Sequence, residues 1–337
     1  MGEPGPTGPT GPTGPEFECI NTRYTYAARN GAIDVIDQAT EEVVKTFPIP
    51  AGAVLGATRI AINPARNELY VSVGAPVYQL LFINATTGEI EQTLPAAVSS
   101  GADQNLVFSA PYNRIYVRTS STANETIEVF DATARVHTAS LVGPYNGSLA
   151  VNSANGLVYA IRGQNVDVIA SDAVIATIST EINTSRVNVD SLTNRIFASS
   201  GSQVRVFDGA TNELINSFPM TTGGAVASPR LNENLGLFYW VYRIGSETHI
   251  EAYNNTTGEF LNDAVYVSSV NPVALRVDQK TERVYFNIDE GARAYQGNAD
   301  GTLTPLAQFA EDYADYAFAD FSNCPQGPTG TTGPQAS

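Results

Sequence analysis

Hydrophobic and polar residues alternate in short stretches along most of this 337-residue chain, and one such pattern recurs seven times. Each copy is an Asn or another turn residue followed by a hydrophobic pair that usually includes an aromatic. Aligned on the residue before that pair, the copies lie at Arg23, Glu68, Arg114, Leu157, Arg195, Gly236 and Arg283, spaced 45, 46, 43, 38, 41 and 47 residues apart. A period of about 40–45 residues built from short strands is typical of a β-propeller with four strands per blade.

The other strands of each blade follow the same alternation. A strand ending in an acidic or amide residue comes next, as in residues 33–37 and 127–131, and polar turn residues with Gly lead into a third strand. Small and β-branched residues precede the aromatic strand, as in residues 60–64, and suit the crowded inner position. We therefore predict an all-β fold of seven four-stranded antiparallel blades.

The two ends of the repeat region complete one another. Residues 316–320 resemble an inner strand that has no successor, whereas the strand at residues 23–26 has no inner strand before it. We predict a composite blade that closes the ring and leaves no exposed edge. The two cysteines, Cys19 and Cys324, fall in one turn of this blade, which predicts a disulfide and an oxidising setting; two unpaired thiols are the alternative.

The extreme ends have a different composition. Glycine occupies every third position, at Gly2, Gly5, Gly8, Gly11, Gly14, Gly327, Gly330 and Gly333, with abundant proline. This spacing is typical of collagen-like polyproline-II chains that associate as a trimer, and a flexible proline linker would not require it. We predict collagen-like segments at residues 1–16 and 327–337, flanking a propeller at residues 17–326, and expect them to be ends of longer stretches.

Composition excludes several classes of function. With 34 acidic and 18 basic residues, the formal charge is −16, which argues against nucleic acid as a partner. No apolar run approaches the roughly 18 residues of a membrane helix, and no secretory leader is recognisable. Residues 298–301 and 311–315 are the stretches where calcium could bind, but neither has the ligand spacing of a calcium loop. A hairpin turn is preferred for the first and a solvated acidic loop for the second. No cofactor is expected.

Catalytic motifs are not recognisable, and we expect a protein that is not an enzyme. Asp190, Asp278 and Asp320 end inner strands and could face the channel mouth, although turns explain their repetition. His137 and His249 are interpreted as ordinary strand residues. Aromatic residues cluster at positions 238–242, where Tyr239, Trp240 and Tyr242 form a candidate ligand surface, with core packing as the preferred interpretation.

Two resemblances follow from these motifs. Residues 33–37, 60–64 and 69–72 resemble the YVTN-type surface-layer β-propeller family, although the Tyr-Val-Thr-Asn core is degenerate here. That resemblance implies display at a cell surface. The Gly-Pro-Thr triplets are similar to those of collagen-like exosporium proteins of spore-forming bacteria, which implies a spore surface and threonines that carry sugars; the N-terminal anchoring segment of those proteins is absent.

These observations favour a structural and interaction protein of a spore or cell surface. The propeller would be a head on a collagen-like stalk, acting in surface architecture or adhesion, with other surface proteins or glycans as partners. One alternative is a channel-mouth ligand binder or hydrolase acting on a sugar, lactone or cation. Another is a recognition module of a phage or viral fibre.

Overall fold

The computed structural model describes residues 20–50, 58–75, 77–96, 105–120, 125–201, 203–221, 225–226, 229–267, 275–288 and 291–323. Most of these residues lie in short antiparallel strands arranged as seven sheets. Helical structure in the described part of the chain is limited to a 3₁₀ turn at Pro64–Arg66. The sheets are numbered below as blades 1 to 7 in chain order.

The first four blades each contain four strands. Blade 1 contains β1 (Ile20–Arg29), β2 (Ala32–Asp37) and β3 (Glu42–Pro48), joined by the last strand of the chain. Blade 2 contains β4 (Thr58–Asn63), β5 (Glu68–Val73), β6 (Gln79–Asn84) and β7 (Ile90–Pro95). Blade 3 contains β8 (Leu106–Ser109), β9 (Arg114–Ser120), β10 (Glu125–Asp131) and β11 (Val136–Val142). Blade 4 contains β12 (Leu149–Val151), β13 (Val158–Arg162), β14 (Asn165–Ala170) and β15 (Ala173–Ser179).

The remaining blades follow the same plan. Blade 5 contains β16 (Arg186–Asp190), β17 (Arg195–Ser200), β18 (Gln203–Asp208) and β19 (Leu214–Pro219). Blade 6 contains β20 (Ala225–Val226), β21 (Arg230–Asn232), β22 (Leu237–Ile244), β23 (Glu247–Asn254) and β24 (Phe260–Val267), its inner position being split between β20 and β21. Blade 7 contains β25 (Arg276–Asp278), β26 (Arg283–Ile288), β27 (Gly291–Gly297) and β28 (Leu303–Gln308).

The ring closes through a strand from the C-terminal part of the chain. The last strand, β29 (Asp315–Asn323), pairs with β1 from Ala28↔Asp315 to Ile20↔Asn323, which gives blade 1 the order β29-β1-β2-β3. The seven-bladed fold and the composite blade predicted from sequence are therefore confirmed. This pairing covers the inner edge of β1, which would otherwise be an unpaired strand edge at the end of the array of blades.

The recurring Asn has a conformational reason. Asn67, Asn113 and Asn194 each adopt a φ between 53° and 54°, in the left-handed region that Asn tolerates better than most residues. Each of these residues lies directly before the second strand of its blade. The turn chemistry in the repeat therefore fixes where the aromatic strand begins.

The core lies between neighbouring blades. The aromatic of the repeat is fully buried in most blades, as Tyr70, Tyr116, Tyr159, Phe197 and Tyr285 show. Each sheet presents one face to the blade before it and the other to the blade after it, so both faces of the middle strands are apolar. The outer strands face solvent, and in β3 Phe47 is buried while the other six residues are exposed.

Candidate functional site

The inner strands surround a central channel, and polar side chains from three blades meet in it. A cavity of about 160 Å³ lies there, bounded by the inner strands of blades 3 to 7. Its polar lining consists of Asn188 from blade 5, Arg230 and Glu233 from blade 6, and Arg276 and Gln279 from blade 7. The cavity is large enough for a few waters or a small polar molecule.

Glu233 supplies the carboxyl group among the described residues that line this cavity. It follows β21, and its Oε2 accepts a hydrogen bond from the backbone N–H of Ser191 at 2.9 Å. Its own backbone N–H donates to Oε1 of Gln279 at 2.7 Å. Burial, aided by the nearby Asp190 carboxylate, raises the pKa of Glu233 to about 7. A carboxyl group that titrates near neutrality can exchange a proton with a small polar molecule bound beside it.

Glu233 was not among the residues singled out from sequence. The position after the Asn or Asp at the end of the inner-strand segment is occupied by Pro64, Ser153, Ser191 and Gln279 in blades 2, 4, 5 and 7, so an acidic residue there is a departure from the repeat. That departure is the signal that could have identified it. The raised pKa could not have been anticipated, because it depends on burial against blade 5.

The three aspartates proposed for the channel mouth serve turns and ring closure. Oδ1 of Asp190 accepts from the backbone N–H groups of Leu192 and Thr193, both at 3.0 Å, and Oδ1 of Asp278 accepts from Lys280 N–H at 3.1 Å. Asp278 is also bound by Arg23, as is Asp320. Their carboxylates are thus engaged within the fold, in agreement with the structural interpretation of their repetition.

The aromatic cluster of blade 6 lies in the core. Trp240, Tyr239 and Tyr242 are 1%, 0% and 3% exposed. Trp240 and Tyr242 pack toward blade 5, whereas Tyr239 packs toward blade 7, because successive residues of a strand point to opposite faces. These three side chains therefore form no exposed stacking surface, and core packing, the preferred interpretation, describes their position.

His249 and the two stretches considered for calcium have local structural partners. His249 stacks on the ring of Tyr242, with ring centroids 4.8 Å apart, and its Nδ1 lies 2.9 Å from Oδ2 of Asp263. In the turn after β27, Asp300 accepts from Thr302, as expected of a hairpin. Over the described ranges, no group of three or more His, Cys, Asp or Glu side chains is placed to hold a metal ion.

A second cavity lies on the outer side of the ring, between blades 2 and 3. It measures about 510 Å³ and will be called the blade 2–3 groove. Its lining consists of Tyr78, Leu94, Pro95, Ala96, Thr119, Glu128, Phe130 and His137. Most of this lining is apolar, and its carboxylate comes from Glu128. The sequence pattern marks His137 as an ordinary strand residue, and no local motif indicates the groove.

Ser140, His137 and Glu128 form a compact cluster at this groove. Nε2 of His137 lies 2.6 Å from Oε2 of Glu128 and 3.2 Å from Oγ of Ser140, and Ser140 donates to the same Oε2 at 2.5 Å. A catalytic triad needs the acid on one imidazole nitrogen and the serine on the other. Here both partners share Nε2, so the cluster is arranged for hydrogen bonding rather than for activating the serine.

Several predicted features lie outside the described residues. These are Cys19, Cys324 and the collagen-like glycines Gly2, Gly5, Gly8, Gly11, Gly14, Gly327, Gly330 and Gly333. The disulfide and the collagen-like segments stay predictions. Within the described ranges, no helix has the length and apolar character needed to cross a bilayer.

Comparisons with known proteins support the fold. No family model matches the chain, and no curated protein matches it. Among solved structures, a functionally unknown protein from Desulfotomaculum acetoxidans is similar with a TM-score of 0.65 and 13% identity, covering 88% of this chain and 98% of that one.

Two further structures have stated names. Hydrazine synthase from Kuenenia stuttgartiensis gives a TM-score of 0.58 at 13% identity, covering 72% of this chain and 77% of that one. BamB from Moraxella catarrhalis gives 0.55 at 15% identity, with 86% of each chain covered. Identities this low show a shared propeller architecture and carry no function across. The YVTN-type resemblance stays a prediction.

Proposed function

We propose that this chain is a non-enzymatic interaction protein in which a rigid propeller is carried as a head on a collagen-like stalk. The observation that supports it is the pairing of Ile20 with Asn323 at the end of the composite blade. Chain entry and chain exit are therefore adjacent. Stalk segments built from the Gly-x-y triplets on either side would leave the propeller at one point, and the head would project sideways from them.

Self-association follows from the same reasoning. Three chains whose Gly-x-y segments wound together would carry three propellers at one level of the stalk. The charge of −16 favours separation of neighbouring heads by mutual repulsion. We propose further that Cys19 and Cys324, the residues next in sequence beyond the Ile20↔Asn323 pair, form a disulfide that fixes the junction between head and stalk.

The setting that agrees best with these features is an extracellular one, at a spore surface or a cell surface. It combines the resemblance to surface-layer propellers with the resemblance to collagen-like exosporium proteins. The head would then act in surface architecture or adhesion. Its partners would be other surface proteins or glycans.

Immunogold electron microscopy of the source organism tests this proposal. Antibody raised against the propeller would be applied to whole cells, spores and thin sections, and antibody pre-absorbed with the same protein would serve as the control. Gold along filaments or on the outer spore layer is the expected result. Gold confined to the cytoplasm would overturn the surface proposal, and gold on virus particles would favour the viral-fibre alternative.

A second candidate function is a channel-mouth binder or hydrolase, and the position of Glu233 favours it. Its raised pKa and its place beside Arg230 and Arg276 suit a small polar or anionic molecule. The test is turnover of a panel of lactones and aryl esters by the protein and by its E233Q variant. Turnover that disappears with E233Q would replace the non-enzymatic proposal.

A further inference from the structure

One position of the repeat carries a buried carboxylate in blades 1, 4 and 6, and blades 1 and 4 satisfy it in the same way. In blade 1 it is Asp34. Arg29 donates to it through Nε at 2.8 Å, Thr46 donates at 2.7 Å from the neighbouring outer strand, and the hydroxyl of Tyr313 donates at 3.1 Å. The carboxylate thus receives a guanidinium, a threonine hydroxyl and a phenol.

Blade 4 repeats this arrangement. Arg162 donates to Asp167 through Nε at 2.8 Å and through Nη2 at 3.0 Å. Thr177 donates at 2.7 Å and the hydroxyl of Tyr145 at 3.2 Å.

Blade 6 has Glu251 at the same position and, among the described residues, satisfies it without an arginine. The hydroxyl of Tyr242 donates to Glu251 at 3.0 Å and that of Tyr253 donates at 2.6 Å. The propeller therefore fills this position from within in two ways, by a guanidinium in blades 1 and 4 and by phenols in blade 6.

Blade 3 keeps the acid and lacks the guanidinium. The strand registers Asp34↔Thr46, Asp167↔Thr177 and Glu128↔Ser140 place Glu128 at the same position. On the preceding strand, the place of the two arginines is taken by Thr119, which pairs with Thr126 in the register.

Both carboxylate oxygens of Glu128 have partners, and the side chain is still partly exposed. Thr126 donates to Oε1 at 2.9 Å, while His137 and Ser140 both approach Oε2. The side chain is 22% exposed, compared with 4% for Asp34 and 3% for Asp167. The blade 2–3 groove of about 510 Å³ adjoins it.

We propose that the blade 2–3 groove binds an organic cation, a guanidinium or amidinium group on an apolar body, with Glu128 as its counter-ion. The cation would take the place that Arg29 and Arg162 hold in blades 1 and 4, donating to the carboxylate as a planar fork. The apolar body would lie against Leu94, Ala96 and Phe130. This inference does not depend on where the propeller is displayed.

Benzamidine is the probe that tests it, because it joins a planar amidinium to a phenyl ring. Benzamide is the matched neutral control of nearly the same shape. Saturation-transfer NMR titration of the 337-residue protein should give saturable binding of benzamidine at about millimolar concentration, as expected of so small a ligand. Benzamide should bind at least tenfold more weakly.

Two variants locate the binding. E128Q removes the charge at nearly constant volume and should weaken benzamidine binding at least tenfold, whereas E213Q, which changes an exposed glutamate of blade 5, should leave it unchanged. T119R restores the arginine of the sister blades and should abolish binding by filling the groove. The E128Q result stands whether or not T119R folds.

Three results would overturn the proposal. The first is equal binding of benzamide and benzamidine, which would show an apolar groove without cation preference. The second is wild-type affinity in E128Q, which would place the ligand elsewhere. The third is the lack of saturable binding by the wild-type protein at tens of millimolar benzamidine.

Discussion

Arg23 joins the two ends of the chain to blade 7, and replacing it with alanine tests how the ring is held closed. Its guanidinium donates to Asp278 through Nε at 2.6 Å and also through Nη2, and to Asp320 through Nη1 at 2.9 Å. The Asp278 side chain is 1% exposed, whereas that of Asp320 is 37% exposed. One guanidinium thus contacts a buried carboxylate of β25 and a partly exposed one of β29.

The expected magnitude follows from these burials. Removing one partner of a buried ion pair costs about 3–5 kcal/mol, whereas an exposed pair contributes less than about 1 kcal/mol. Asp278 would keep hydrogen bonds from Gln38 at 2.8 Å and Thr281 at 2.9 Å, so the lower end of the range applies. R23A should therefore lose about 3 kcal/mol, or about 6 °C in Tm at roughly 2 °C per kcal/mol.

The matched control is R195A. Arg195 holds the same repeat position in blade 5, but its guanidinium donates an exposed hydrogen bond to the hydroxyl of Thr256 at 2.9 Å. This variant should lose less than about 1 kcal/mol. Thermal melts of both variants and the wild type, recorded with reductant so that no cystine holds the ring, give the comparison. If R23A melts within 2 °C of R195A, the ion pair does not stabilise the closure.

Acid unfolding gives a second readout of the same contact. Burial opposes ionisation of Asp278, but hydrogen bonds from Arg23 and Gln38 outweigh it and hold the pKa of this carboxyl below its usual range. A lowered pKa stabilises the fold above the unfolded pKa, and that stability is lost as pH falls through the folded pKa. Without Arg23 the folded pKa rises, so R23A should unfold at a higher pH than the wild type.

Three further predictions concern the channel, the seam and a turn. Because the pKa of Glu233 is raised to about 7, the folded state holds its proton after the unfolded state has released it, so stability should fall by up to roughly 3 kcal/mol as pH rises from about 4.5 to 7. Urea unfolding should show that E233Q removes this fall. A disulfide between Cys19 and Cys324 should appear as one cross-linked peptide in non-reducing mass spectrometry, and alkylation of both thiols without reduction would refute it. G88A should cost about 2–4 kcal/mol, because Gly88 has φ +77° and an added Cβ would lie 2.2 Å from a phenylalanine of blade 1. G163A, at φ +67° with nothing within 4 Å, should cost only about 1 kcal/mol in the same urea assay.

The fold was predictable because each copy of the repeat contains the residues that form its turn. An Asn such as Asn67 both tolerates the left-handed backbone and precedes the aromatic that fills the space between blades, so backbone and packing requirements coincide in sequence. The composite blade was predictable for a similar reason: the strand at residues 316–320 had no successor and the strand at residues 23–26 had no inner neighbour. Pairing them required only counting along the repeat.

The candidate sites were less predictable, because each depends on side chains from different blades. Glu233 titrates near neutrality only because blade 5 buries it, and the blade 2–3 groove joins Leu94 of one blade to Glu128 of the next. Neither the burial of Glu233 nor the lining of the groove appears as a local sequence motif. Trp240 is the opposite case. Its aromatic cluster looks like a ligand surface in the sequence, but in the structure Trp240 packs against the neighbouring blade.

In a fold built from repeats, the positions that depart from the repeat carry the most information about function. Blades 1 and 4 show that a carboxylate at the position of Glu128 can be satisfied within the propeller by an arginine, and the arrangement recurs nearly unchanged in Asp34 and Asp167. Blade 3 has the acidic Glu128 at this position and has Thr119 in place of the arginine. Neutral hydroxyls and an imidazole contact Glu128, and its side chain stays partly exposed beside an apolar groove. A planar organic cation bound in the groove would supply the charge-assisted contact that an arginine supplies in blades 1 and 4.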